Sequence, residues 1–164
     1  MGQHRSLNLS LKGRALQCVA QREHSCAELR NKLLAHAAAD ADAAEGAAAE
    51  VDAVLDWMQA KAYLSDERFV EGRVHARASR FGNARIRSEL ARHGLALSPE
   101  LAQDLRQTEK ARACEVWQRK FAQAPASAAE RARQMRFLAG RGFSPEVIGQ
   151  VLRDVERKRD HEPL

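Results

Sequence analysis

One pattern occurs twice in this chain, a leucine, two residues, a basic residue, a glycine and a large apolar residue: Leu90, His93, Gly94, Leu95, and again Leu138, Arg141, Gly142, Phe143. Each copy runs within a few residues into Ser-Pro-Glu, at Ser98-Pro99-Glu100 and Ser144-Pro145-Glu146, followed by an apolar Leu101 or Val147. Glycine closes a helix where the backbone turns left-handed, and Ser-Pro opens the next one, so both copies read as helix-turn-helix units. A unit this short cannot bury its apolar face alone. Copies therefore stack, and a row of them offers an extended surface suited to a long partner.

Composition agrees. The chain has 164 residues, 45% of them hydrophobic and only 5% aromatic. Leu, Ala, Arg and Glu dominate, and strand formers never alternate over a strand length, which predicts an all-α protein. The three cysteines, Cys18, Cys26 and Cys114, have no metal or redox spacing; their odd, scattered occurrence suits a reducing, cytoplasmic compartment. No apolar stretch approaches the roughly 20 residues of a membrane span, and Met1 to Leu11 has no signal-peptide core.

Caps and periodicity predict nine helices in three units, 1–64, 65–107 and 108–164. Leu11, Ala15 and Val19 mark the first helix, the Ser25-to-Glu28 capping box opens the second, and Val51, Val54, Leu55, Met58 and Ala62 carry the third. Ser65 caps a fourth that continues past Arg77 and Phe81 to Gly82; Asn83 caps a fifth ending at Gly94; Ser98-Pro99 opens a short sixth through Leu105. The last unit starts near Thr108 with Ala111, Cys114, Trp117 and Phe121 on one face, continues with the Ser127-to-Glu130 capping box, and closes with a helix from Pro145. The tail from Lys158 to Leu164 is expected to fray. The alanine-rich stretch Ala37–Ala49 fits either a helical extension or a linker. Tyr63, Phe69 and Phe81 are expected between units, and Trp57 and Trp117 in a core or interface.

Charge is uneven. Lys and Arg number 27 against 22 Asp and Glu, a net +5. The segment 36–60 carries six acidic residues, Asp40, Asp42, Glu45, Glu50, Asp52 and Asp56, and no Lys or Arg, whereas 110–159 carries twelve Lys and Arg. Such asymmetry points to a basic surface that attracts a nucleic acid, or an acidic protein assembled on one. Arg73, Arg77 and Arg80, spaced by four and three, share a helix face, and Arg85, Arg87 and Arg92 follow on the next helix. Like charges repel unless an anionic surface receives them, and the guanidinium fork suits carboxylates and phosphates. The bland reading is a solvated face on which Arg68, Arg77 or Arg87 pairs with Glu67, Glu71 or Glu89. Lys110, Arg112, Arg119, Lys120, Arg131, Arg133, Arg136 and Arg141 form a weaker, second candidate patch. Chemistry is poorly represented: Cys18, His24 and Cys26 lack a zinc spacing and a fourth ligand, and there is neither a phosphate-cradling loop nor a nucleophile elbow. Neither catalysis nor a cofactor or metal is expected.

Two segments resemble the RecX family of bacterial regulators of the RecA recombinase: Tyr63-Leu64-Ser65-Asp66-Glu67-Arg68-Phe69 and Arg80-Phe81-Gly82-Asn83-Ala84-Arg85-Ile86-Arg87-Ser88-Glu89-Leu90. Supporting matches are Arg22-Glu23-His24-Ser25, Glu28-Leu29 and Lys32-Leu33 near the start, and Arg136-Phe137-Leu138-Ala139 with Arg141-Gly142-Phe143 near the end. The resemblance implies three tandem three-helix repeats in an elongated, curved molecule with no catalytic activity. It also implies binding to the RecA nucleoprotein filament with suppression of its ATPase and strand-exchange activities, within the control of DNA repair and the SOS response. The six arginines Arg73, Arg77, Arg80, Arg85, Arg87 and Arg92 are the candidate contact with the filament, its single- or double-stranded DNA, or both. The alternative is an independent helical DNA-binding protein that presents Arg85 and Arg87 to a duplex. No self-complementary apolar patch is evident, so a monomer is expected.

Overall fold

A computed structural model of the chain describes residues 9–39 and 46–161, and among these every regular element is helical. Eight helices follow one another: α1 (Leu11–Gln21), α2 (Cys26–Ala38), α3 (Ala47–Ala60), α4 (Asp66–Ala78), α5 (Asn83–Ala91), α6 (Pro99–Lys120), α7 (Ala128–Gly140) and α8 (Pro145–His161). None is long and apolar enough to cross a membrane. The chain divides into two compact units, Met1–Phe69 and Val70–Leu164.

The first unit packs α1, α2 and α3 around Ala15, Leu29, Leu33, Val51, Leu55, Met58 and Leu64. These are the positions at helical spacing along each amphipathic stretch, so burying them closes a three-helix core. Serine caps define the helix starts: the Ser25 hydroxyl accepts from the Glu28 amide (3.1 Å), and that of Ser10, a cap not expected from the sequence, from the Gly13 amide (3.1 Å). Ser65 does the same for Arg68 (3.2 Å), while the neighbouring Asp66 carboxylate accepts from the amide of Cys26 (2.7 Å) at the first turn of α2. Asp66 thus places negative charge at the positive end of another helix. Ser65 and Asp66 cap the start of α4 and tie it to the first turn of α2. Arg68 adds to this tie, reaching Glu23 (2.9 Å) and the carbonyl of Ala62 (2.9 Å) rather than Glu67.

In the second unit α6, α7 and α8 enclose Ala113, Val116, Trp117, Leu138, Phe143, Ile148, Val151, Leu152 and Val155. The Trp117 indole N–H donates to Gln134 Oε1 (2.7 Å), which satisfies its polar atom inside the core. Val70, Val74, Phe81, Ile86, Leu90 and Leu105 are buried on α4, α5, the turn between them and the first half of α6.

Several expectations change. The sixth and seventh expected helices are one 22-residue helix, α6, running straight through Thr108. The intervening Arg106 to Lys110 contains neither Gly nor Pro, and the Thr108 hydroxyl donates back to the carbonyl of Asp104 (2.9 Å) instead of capping a new start. Helix α4 stops at Ala78, short of Phe81, and Asn83 is the first residue of α5 rather than its cap. The expected fraying of 158–164 is contradicted up to His161, where α8 ends; residues 162–164 lie outside the described residues. Tyr63 is 47% exposed and stands beside Trp57, with ring centroids 5.6 Å apart, so it is a surface residue. Of the alanine-rich stretch, Ala37 and Ala38 end α2 and Ala47 to Ala49 begin α3. Residues 40–45, with the acidic Asp40, Asp42 and Glu45, lie outside the described residues, as does Met1 to Asn8.

Candidate anion-binding surface

Two glycine turns meet in the second unit. The Gly82 amide donates to the carbonyl of Arg141 (2.8 Å) and the Ala84 amide to that of Gly142 (3.1 Å). A Cβ on Gly82 would lie 2.3 Å from the Gly142 backbone, and one on Gly142, whose φ is +87°, 2.5 Å from the Arg85 Cβ. Only glycine permits so close an approach of two chain segments, and at Gly142 it also permits the left-handed backbone. These glycines lie in the Arg80–Leu90 and Arg136–Phe143 segments singled out by sequence, and they join them physically.

A buried carboxylate locks the joint. Glu109, in the middle of α6 and only 6% exposed, accepts from the Asn83 amide (3.3 Å), the Asn83 side-chain amide (3.2 Å) and the Ser144 amide (3.2 Å). It therefore sits at the start of α5 and just before α8, where amides without intrahelical partners and the helix dipoles favour negative charge. Three residues on, Arg112 donates to the carbonyls of Ala78 (3.1 Å), Phe81 (2.9 Å) and Leu105 (3.0 Å) and to the side-chain oxygen of Asn83. Burial lowers the Arg112 pKa, with Glu109 nearby opposing that shift. Sequence reading missed Glu109 and left Arg112 in a basic surface patch. The signal was present: Leu105, Glu109, Ala113 and Val116 share one helical stripe, and a carboxylate on an otherwise apolar stripe marks a buried, partnered acid.

Around this joint the cations gather. The guanidinium carbons of Arg85, Arg141, Arg80 and Arg77 lie 4.3, 5.4, 5.6 and 5.7 Å from the centroid of the Phe81 ring. All lie within about 6 Å of that ring's centroid, the range over which its face attracts a cation. Glu89 is the carboxylate paired with this group, receiving Arg77 at 3.0 Å and Arg85 at 3.8 Å. Arg85 also donates to the carbonyl of Gly140 (3.4 Å). Next to the ring lies a shallow pocket of about 230 Å³, lined by Arg80, Arg119, Lys120 and Arg141 over Val116 and Phe137. Among the described residues none of its four cations has a carboxylate within 4.0 Å.

The six arginines singled out by sequence thus separate. Arg77, Arg80 and Arg85 converge at Phe81. Arg87 lines a different concavity, with Arg106, Lys110, Glu109 and Glu146, that shares no lining residue with the first. Arg73 lies on α4 and Arg92 follows the last residue of α5. The second candidate patch divides as well: Lys110 pairs with Asp154 (2.7 Å) and Arg131 with Glu156 (3.0 Å), while Arg119, Lys120 and Arg141 extend the cluster of the first. Arg141 was the member whose proximity to Phe81 sequence spacing could not reveal, because 60 positions separate them along the chain, 141 less 81. Among the described residues no three His, Cys, Asp or Glu side chains form a group able to hold a metal ion.

Residues 65–98 match the family model described as the second three-helix domain of RecX, and residues 107–152 that of its third three-helix domain. Curated relatives cover almost the whole length. The chain is 51% identical to the regulatory protein RecX of Leptothrix cholodnii over 94% of each chain. It is 46% identical to that of Ralstonia nicotianae, over 93% of this chain and 92% of the relative, and 44% identical to that of Ralstonia pickettii, over 88% and 87%.

Proposed function

Since this chain belongs to the RecX family of regulatory proteins, we propose that it binds the RecA nucleoprotein filament and inhibits the filament's ATPase and strand-exchange activities. The observation that carries this reading is the convergence of Arg77, Arg80, Arg85 and Arg141 on Phe81. Four guanidiniums held on one ring, with Glu89 as the paired carboxylate, form a positive surface on a locked support. A support of this kind pre-organises long side chains that would otherwise lose rotamer freedom on binding. It favours a long anionic partner, and a filament of recombinase on DNA is one. Arg73, Arg87 and Arg92 extend the basic character over neighbouring surface and act as peripheral steering charges. Nothing in this role calls for a reaction at the protein itself: it acts as a monomer by occupancy, and the effect is read in the recombinase.

The test compares partners. Binding of the full chain is measured on bare single-stranded DNA, bare duplex and single-stranded DNA coated with nucleotide-bound RecA, together with ATP hydrolysis by the coated form. The expected result is weak binding to bare DNA, much tighter binding to the coated strand, and a fall in ATP hydrolysis that follows occupancy. Equal affinity for bare and coated DNA overturns the reading in favour of an independent DNA-binding protein.

A further inference from the structure

The pocket beside Phe81 differs from the rest of the basic surface. Arg80, Arg119 and Lys120 are exposed and Arg141 is half-buried, and they come from three parts of the chain: the turn after α4, the last turn of α6 and the turn after α7. Arg119 is partly immobilised by donating to the carbonyl of Ser79. Lys120 and Arg141 stand 5.8 and 5.2 Å from the Phe137 centroid, and that ring is itself fixed edge-on against Phe121 at 5.3 Å. The cations are therefore held by rings and by the carbonyls of Ser79 and Glu115, and their remaining N–H groups are left for a ligand. Basic residues at the C-terminal end of α6 complement the helix dipole, which explains Arg119 and Lys120 singly. It does not explain the arrival of Arg80 and Arg141 at the same place with no carboxylate in the lining.

From this geometry we infer that the pocket is a binding site for a phosphate group of a nucleic-acid strand. A volume of about 230 Å³ admits one small anionic group and not a whole folded element. A carboxylate offers two oxygens in one plane, which two guanidinium forks saturate. A tetrahedral phosphate turns its oxygens in several directions and accepts from cations approaching on several sides. The strand enters and leaves over Phe81, where Arg77 and Arg85 meet the next phosphates along the chain, and the apolar floor of Val116 and Phe137 packs against sugar carbons. The inference goes beyond the proposed function and does not depend on it, because the pocket takes phosphate whether or not a recombinase coats the strand.

The test uses the full chain and a fluorescein-labelled oligothymidylate, which offers phosphates without duplex pairing, titrated by anisotropy at several salt concentrations. Arg80→Glu with Lys120→Glu alters two exposed side chains, so the helical circular dichroism should persist; Arg80→Gln with Lys120→Gln provides the same test without introduced repulsion. Arg157→Glu, on the exposed face of α8, is the control. The expected result is at least about a tenfold rise in Kd for the double charge reversal. The log–log salt slope should fall by about 0.7, the value for one single-strand phosphate no longer neutralised, with the control near the parent. Unchanged Kd and slope overturn the inference. So does displacement of the oligothymidylate by oligoglutamate at equal charge, which would make the occupant an acidic peptide. ATPase inhibition measured on the same variants separates the two readings: abolished oligothymidylate binding with retained inhibition supports the pocket and leaves the filament contact to other arginines.

Discussion

At the residue scale, a few ionisable side chains placed where water is excluded tie chain segments together within the apolar cores. Glu109 gathers three N–H donors from two chain segments, and its removal strands them. Glu109→Ala is expected to cost about 3 kcal/mol, the usual scale for removing one member of a buried charged network; Glu109→Gln, which keeps an acceptor, should cost less. Urea denaturation of both variants checks the order. His24 is a second such residue. It is buried, its Nδ1–H donates to the carbonyl of Arg22 (2.9 Å), and Nε2 accepts from the Lys32 ammonium (2.9 Å). Burial pushes its pKa below the ordinary histidine value, and the neighbouring Arg22 and Lys32 charges act in the same direction, against the Arg22 carbonyl and Glu28. A histidine that stays neutral in the fold but protonates when unfolded contributes its stability above the unfolded value, near pH 6.5. That contribution is lost as the pH falls below it toward the depressed folded value. Glu28, held at about 2 by its hydrogen bond to Arg22, adds a second loss between about 4.5 and 2. Melting temperature measured against pH should therefore decline in two stages. His24→Gln should remove the upper stage and leave the lower; a variant that keeps both places the upper transition on another group.

At the element scale, helix starts were more legible than helix ends. Ser25, Ser65, Ser98, Ser127 and Ser144 each accept a hydrogen bond from the amide three residues on, as expected from their place before an apolar run. Asn83 is the exception, since its side chain is taken by Glu109 and Arg112, tertiary partners that local pattern cannot encode. The merger of two expected helices into α6 has the same origin in reverse: a new start is expected near Thr108, but the chain around it has good helix formers and no breaker. Continuity of α6 has a purpose, because one rigid helix carries Leu105 on the near side, Glu109 and Arg112 at the joint, and Trp117 in the core of the α6–α8 bundle. Gln107→Pro removes a backbone donor and clashes with the preceding turn, at an expected cost of about 3 kcal/mol or more. Gln107→Gly, which only loosens the same position, should cost about 1 kcal/mol. Equal effects of the two in chemical denaturation would mean that α6 tolerates a break and does not act as one strut.

At the scale of the molecule, the sequence told the sign and uneven spread of charge but not where it converges. Periodicity placed Arg77 and Arg80 near each other, and a helix-by-helix reading grouped Arg87 with Arg85. The fold instead sets Arg87 in a separate concavity and brings in Arg141 through the crossing of two glycine turns. The electrostatic consequence can be measured. A chain of net charge +5 whose arginines are clustered is drawn to a polyanion over roughly a Debye length, about 10 Å at 0.1 M salt. Inhibition of the recombinase should weaken steeply from about 0.05 to about 0.2 M salt, in proportion to the phosphates whose counterions are released. Arg77→Gln with Arg85→Gln frees Glu89 from both its partners while leaving the buried residues in place. It should shift melting by little, because partly exposed ion pairs contribute about 1 kcal/mol or less. The same variant should lose inhibition at every salt concentration and show a shallower salt dependence, as charges that once met the partner are no longer present. If it inhibits like the parent with an unchanged slope, the field at Phe81 is not what the filament meets, and the concavity lined by Arg87, Arg106 and Lys110 becomes the surface to reverse next.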